Sequence, residues 1–136
     1  MATFTDRELE YLRSQPLARL ATADPKGAPH VVPLRFRMAE DGGAVDIGGR
    51  NFAGSKRYRN IASNPQVAIV IDDLASVDPW TPRGIEIRGI AQLHEGDGRG
   101  LGPGASDLPW ARIIPERVVS WGIDASGRQA RSVKPG

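Results

Sequence analysis

A chain of 136 residues, 40% hydrophobic and 25% charged, has the length of one domain and the composition of an ordinary folded protein. A formal net charge of +2 and an aromatic content of 6% deny it the dense basic stripe and interleaved rings of a nucleic-acid binder. Cysteine is absent, which excludes disulfides, thiolate catalysis and cysteine-held metals, and His30 and His94 alone make no metal site.

The amino end reads MATFTDRELEYLRSQ, acidic and amphipathic where a signal peptide is basic and then apolar, and no apolar run approaches the ~18 residues of a membrane span. A cytoplasmic protein without a membrane partner is expected. Thr5 is an N-cap candidate, with Glu8 three positions on and Leu9 and Leu12 at helical spacing, which predicts a short helix ending at Ser14. LARLATAD then alternates as a first strand and DPKGAP turns it. HVVPLRFRM gives a second strand, EDGG a turn and AVDIGG a third, read together as a meander.

Ser55 and the pair Asn64-Pro65 bracket a helix over 56–63. QVAIVIDD is a continuous β-branched run, the pattern of a strand covered on both faces, and Asp72 and Asp73 at its end read as turn residues. LASVDPWTPR is read as a loop, GIEIRGIAQLH as a fifth strand, and the glycine-rich stretch 95–109 as a mobile excursion, a candidate lid. WARIIPERVVSWGI supplies a sixth strand, broken or bulged at Pro115, with Trp110 and Trp121 in the core or an interface. Residues 1–4 and 124–136 are expected to be flexible. Together these elements predict a mainly β chain: a single domain over 1–136, a six-stranded antiparallel barrel with one or two short helices and no βαβ units.

Charge at the second helix is unusual. Lys56, Arg57 and Arg59 crowd its first turn, where a cation opposes the helix dipole at roughly 0.3–1 kcal/mol each. An anion at that end reverses the sign, and a helix start with free N–H groups already forms a phosphate cradle. Gly54 lets a ligand approach the backbone and Ser55 adds a hydroxyl. The alternative is a set of solvated surface charges in an arginine-rich chain.

The segment SKRYRNI followed by NPQVAIVI resembles the pyridoxamine 5′-phosphate oxidase-like superfamily and its relatives that use the deazaflavin coenzyme F420. DPWTPRGIEIRGIAQL and IIPERVVSWGI look like the actinobacterial branch, so the resemblance spans residues 5–123. The C-terminal arginine and histidine motif of pyridoxamine phosphate oxidase itself is missing, which speaks against vitamin B6 oxidation. The resemblance implies a split β-barrel that forms a homodimer, with a cofactor held in two grooves between the subunits. Residue by residue, it implies Lys56 and Arg57 on the cofactor phosphate, Ser55 and Asn60 beside them, and Val32, Pro33 and Leu34 along the ring. His30 and Arg35 stand at positions of cationic contacts, a plain strand-end histidine being the alternative for His30. Trp80 and Arg83 stand where relatives reach across the dimer, with packing at the subunit boundary the alternative for Trp80. Arg50, Lys56, Arg57 and Arg59 would serve a phosphate plus a polyglutamate tail, which favours F420 over FMN.

No Ser/His/Asp constellation is present, and a cofactor that carries hydride needs no catalytic side chain or metal from the protein. The expected function is an F420-dependent oxidoreductase passing hydride to an unsaturated small molecule. An FMN-dependent enzyme of the same fold, or a non-catalytic binder of flavin, F420 or heme, is the alternative.

Overall fold

The computed structural model describes residues 2–96, 107–124 and 127–133. In chain order the elements are α1 (Asp6–Ser14), β1 (Ala18–Ala23), β2 (Pro29–Leu34), β3 (Phe36–Met38), β4 (Val45–Ile47), α2 (Lys56–Ser63), β5 (Gln66–Ser76), β6 (Thr81–His94), β7 (Trp110–Trp121) and β8 (Gln129–Ser132). All eight strands join one sheet in the order β2-β1-β5-β6-β7-β4-β3, with β8 also paired to β7, and every pairing is antiparallel. The two ends of that path, β2 and β3, are separated in sequence only by Arg35. One residue must therefore bridge the sheet's outermost strands, which forces the sheet to curl into a half-barrel. The meander expected of the first three strands keeps both its pairings, but its second strand is divided at Arg35: β1 pairs β2, and β3 pairs β4.

Strand periodicity decides what the half-barrel encloses. Leu20, Ile69, Ile71, Ile85, Ile87 and Ile113 are each 0–1% exposed and recur at alternate positions of their strands. Val67, Ile69 and Ile71 point inward while Ala68 and Val70 remain half-exposed, so β5 is covered on one face and not on both. At Pro115 the expected bulge is present: Arg88 pairs Arg117 while Gly89 pairs Pro115, leaving Glu116 extra. A Cβ on Gly89 would sit 2.1 Å from the Ile114 carbonyl oxygen, so only glycine allows β6 this close to the bulge.

Among the described residues, segments near both ends make long-range contacts. Phe4 is buried, and the Arg131 side chain on β8 donates to the Thr3 carbonyl and to the Glu8 carboxylate. The loop expected over 74–83 is a four-residue turn, 77–80, at the tip of a long β5–β6 hairpin. Most of the stretch 95–109, the candidate lid, lies outside the described residues.

Candidate functional site

The α2 amino end is built by its own sequence. Ser55 is the N-cap; its Oγ accepts from the Tyr58 N–H at 3.1 Å and donates to the Phe52 carbonyl at 2.6 Å. That hydroxyl is engaged within the fold, which narrows the ligand-facing role expected of Ser55. The N–H groups of Lys56 and Arg57 have no acceptor among the described residues, and the first turn holds no acid. Arg57 lies over the Phe52 ring at 5.5 Å, its Nε is buried without a partner, and burial holds its pKa below the usual arginine value. Arg59 folds back, Nη1 donating to the Gly54 carbonyl at 3.2 Å. Arg50 and Lys56 are exposed.

Asn60 fixes this end to the barrel: it is 4% exposed and its Nδ2 donates to Thr22 Oγ1 at 3.0 Å. Thr22 pairs His30 across β1 and β2, so those two side chains share the inner face, and the His30 Nδ1 is buried with no partner. Val32 and Leu34 continue that inner face and pack on the core. Pro33 and Arg35 are exposed. The fold thus gathers His30, Ser55, Lys56, Arg57 and Asn60 at one end of the barrel, with two unpartnered polar atoms among them.

Trp80 and Arg83 are not part of that group. Thr22 adjoins Ala21, which pairs Ala68, whereas Arg83 pairs Asp73; five residues along β5 separate the two levels, about 17 Å. Trp80 is 69% exposed at the hairpin tip. Arg83 grips Asp73 through Nε and Nη2 at 2.7 and 2.9 Å and lies over the Tyr11 ring at 5.2 Å. Tyr11 donates its phenol to Asp73 at 2.8 Å. The Arg83 and Tyr11 bonds hold the Asp73 carboxyl below the usual carboxylate range, while burial and the Asp73 charge push the Tyr11 phenol up. Asp72 pairs with Arg19 at 2.6 Å, so both aspartates are strand residues in ion pairs and not turn residues.

Sequence reasoning passed over this network. A signal existed in the parity of β5: Asp73 shares the inward register of Val67, Ile69 and Ile71, where an acid requires partners. Asp46 gave no such signal, since it alternates against the apolar Val45 and Ile47 of β4, yet it is fully buried and clasped by Arg112 at 2.8 and 3.0 Å. Trp110 is buried as expected, stacked on His94 at 4.5 Å. A cleft of about 600 Å³ opens beside the Tyr11–Asp73–Arg83 network. Among the described residues no group of three or more His, Asp or Glu could hold a metal, and no helix is long and apolar enough to cross a membrane.

Residues 4–121 match the family model described as pyridoxamine 5′-phosphate oxidase. The chain is 41% identical to the 5a,11a-dehydrotetracycline/5a,11a-dehydrooxytetracycline reductase of Streptomyces rimosus over 133 residues, 96% of this chain and 93% of that one. Among solved structures, a conserved hypothetical protein of Mycobacterium tuberculosis superposes with a TM-score of 0.71 at 19% identity, covering 98% of this chain and 94% of that one. A heme binding protein of Mycobacterium smegmatis gives 0.70 at 19% identity, covering 97% of this chain and 60% of that one. At such identities the likeness is one of fold alone.

Proposed function

The chain belongs to the pyridoxamine 5′-phosphate oxidase family, and from that premise we propose that it is an F420-dependent reductase, working as a homodimer on a conjugated double bond of a polycyclic small molecule. The named activity of the Streptomyces relative supports the reductase class and the kind of substrate. The observation that carries the cofactor site is Arg57, a guanidinium with a buried, unpartnered Nε in a helix turn that contains no acid. Such a group is electrostatically incomplete without an anion. A phosphate fits: two N–H groups without an acceptor among the described residues, with Arg57 and Lys56, stand in the first turn, where the α2 dipole is positive.

When bound, the coenzyme supplies the hydride. The protein's own part is binding and orientation. Lys56 and Arg57 neutralise the phosphate, and Asn60 keeps α2 from shifting by its bond to Thr22. Val32 and Leu34 give an apolar wall with Pro33 and Arg35 at its margin, and the His30 Nδ1 is free to meet a polar edge of the ring. Arg50 and Arg59, exposed cations beyond the Lys56 and Arg57 pair that one phosphate monoester requires, favour a coenzyme with a polyanionic tail over FMN. Trp80, distant from α2 within one chain and exposed at the hairpin tip, would serve the site of a second copy, whereas Arg83 is held by Asp73 and Tyr11 of its own chain and is left out of the coenzyme site.

Titrating the protein separately with F420 and FMN tests this. F420 is expected to bind, and Lys56→Ala with Arg57→Ala to lose roughly 2–5 kcal/mol of that affinity. Reduced F420 is then expected to be oxidised when 5a,11a-dehydrotetracycline is added, followed by coenzyme absorbance. Unchanged affinity in the double variant rules out the phosphate assignment; preference for FMN transfers the chemistry to flavin; binding without oxidation leaves a binding protein.

A further inference from the structure

The cleft of about 600 Å³ falls within the ~300–1,000 Å³ of small-molecule sites and lies at the opposite end of the barrel from α2, with the Ile69 and Ile71 layers between. One wall is a single face of α1 carrying Arg7, Tyr11 and Ser14. The floor is the end of β7 at Gly122 and Ile123. Gly122 has φ +69°, and a Cβ there would meet the Pro82 carbonyl oxygen at 2.4 Å; glycine alone lets the chain turn this close to β6.

Arg83 forms the other wall. Its Nε and Nη2 edge is taken by Asp73 and its face lies over Tyr11, yet Nη1 has no acceptor among the described residues. A guanidinium fixed at one edge and one face, with its second edge unengaged in a cleft, is preorganised for another planar, two-oxygen acid. Arg7 adds a second cation, Glu10 places a carboxylate on the same helix face, and Ile123 offers an apolar surface.

We propose that this cleft is a second binding site, independent of the α2 anion site, for a planar aromatic or polycyclic acid that also carries a hydroxyl or ammonium donor. The acid oxygens meet the free edge of Arg83 and Arg7, the donor meets Glu10, and the flat body lies against Ile123 and Tyr11. Nothing in this arrangement depends on which cofactor α2 holds.

Isothermal titration calorimetry with 3-hydroxy-2-naphthoate as probe tests it, with 3-hydroxy-2-naphthamide as the neutral control. The acid is expected to bind once per chain and the amide about tenfold more weakly. Arg7→Gln, at an exposed position, and Ser14→Trp, which fills the cleft, are each expected to weaken the acid by about tenfold or more. Circular dichroism checks that both remain folded, and the Lys56→Ala, Arg57→Ala double variant should bind the acid as the wild type does. Failure of the wild type to bind the acid, equal binding of the amide, insensitivity to both cleft variants, or loss in the α2 double variant would each overturn the proposal.

Discussion

Arg57 burdens the ligand-free protein, because its Nε is cut off from water and receives no acceptor in exchange. Replacing it with an apolar side chain of similar length should therefore relieve the fold while damaging the site. Arg57→Met is expected to leave the unfolding temperature of the free protein unchanged or raise it, by up to about 1 kcal/mol of stability since part of the guanidinium still meets water. The same variant should lose most of the thermal gain that saturating F420 gives the wild type. Thermal unfolding with and without coenzyme separates the two effects; a destabilised free variant with an intact coenzyme gain would make Arg57 a structural residue. Asp73 gives a prediction with the opposite logic. Its carboxyl is held below the usual range by Arg83 and Tyr11, so the folded state keeps it ionised where the unfolded chain has already taken up a proton. That stabilisation is complete above about pH 4 and drains away as pH falls through the folded-state pKa. Unfolding temperature should then fall more steeply with acid in the wild type than in Asp73→Asn. Glu8 leaves some slope in both, because bonds from Arg131, Thr5 and Ser120 outweigh its burial and lower its pKa as well.

Elements were legible in the sequence where their boundary chemistry is local. Ser55 and Asn64-Pro65 delimit α2 over 56–63 because an N-cap and a proline act on neighbouring backbone. Thr5 and Glu8 do the same for α1 through a reciprocal capping box at 3.1 and 2.9 Å. Elements held by distant partners were not legible. β8 looks like a polar tail until Arg131 finds Glu8, 123 positions away. Pro79 and Pro82 made 74–83 read as a loop, yet Pro82 pairs Leu74 near the start of β6, where the ladder tolerates a missing donor. The candidate site divides the same way. Its anion-binding part, Ser55 to Asn60, is one contiguous segment, whereas the separate cleft joins α1, β6 and the residues after β7 and has no sequence signature. Glu8 serves both a cap and a long-range ion pair, so the two α1 substitutions should differ. Thr5→Ala is expected to cost about 1 kcal/mol, the loss of a cap. Glu8→Ala should cost more, since it also strands Arg131. Urea unfolding measures both, and equal losses would mean the β8 tie contributes nothing.

At the scale of the whole molecule, the outer face of the half-barrel is where one chain looks unfinished. The register lines up Val31, Ala21 and Ala68 in one row, and Val70 sits in the next beside Arg19. Val31 is 64% exposed, and the surrounding positions carry the Arg19–Asp72 and Arg88–Glu86 ion pairs. An apolar centre with a charged rim is the anatomy of a protein interface, and its position on β1, β2 and β5 backs onto the strands that carry His30 and Val32. Sequence alone presented β5 as a strand buried on both sides, but among the described residues no segment supplies a second cover. If a second copy supplies it, a charge at the centre must both split the dimer and weaken the coenzyme, because the groove is shared. Val31→Asp is accordingly expected to shift sedimentation from dimer to monomer at micromolar concentration. F420 affinity should fall with it, although residue 31 points away from the α2 pocket. A variant that remains dimeric would assign the patch another role, and a monomer that binds F420 with unchanged affinity would place the whole coenzyme site within a single chain.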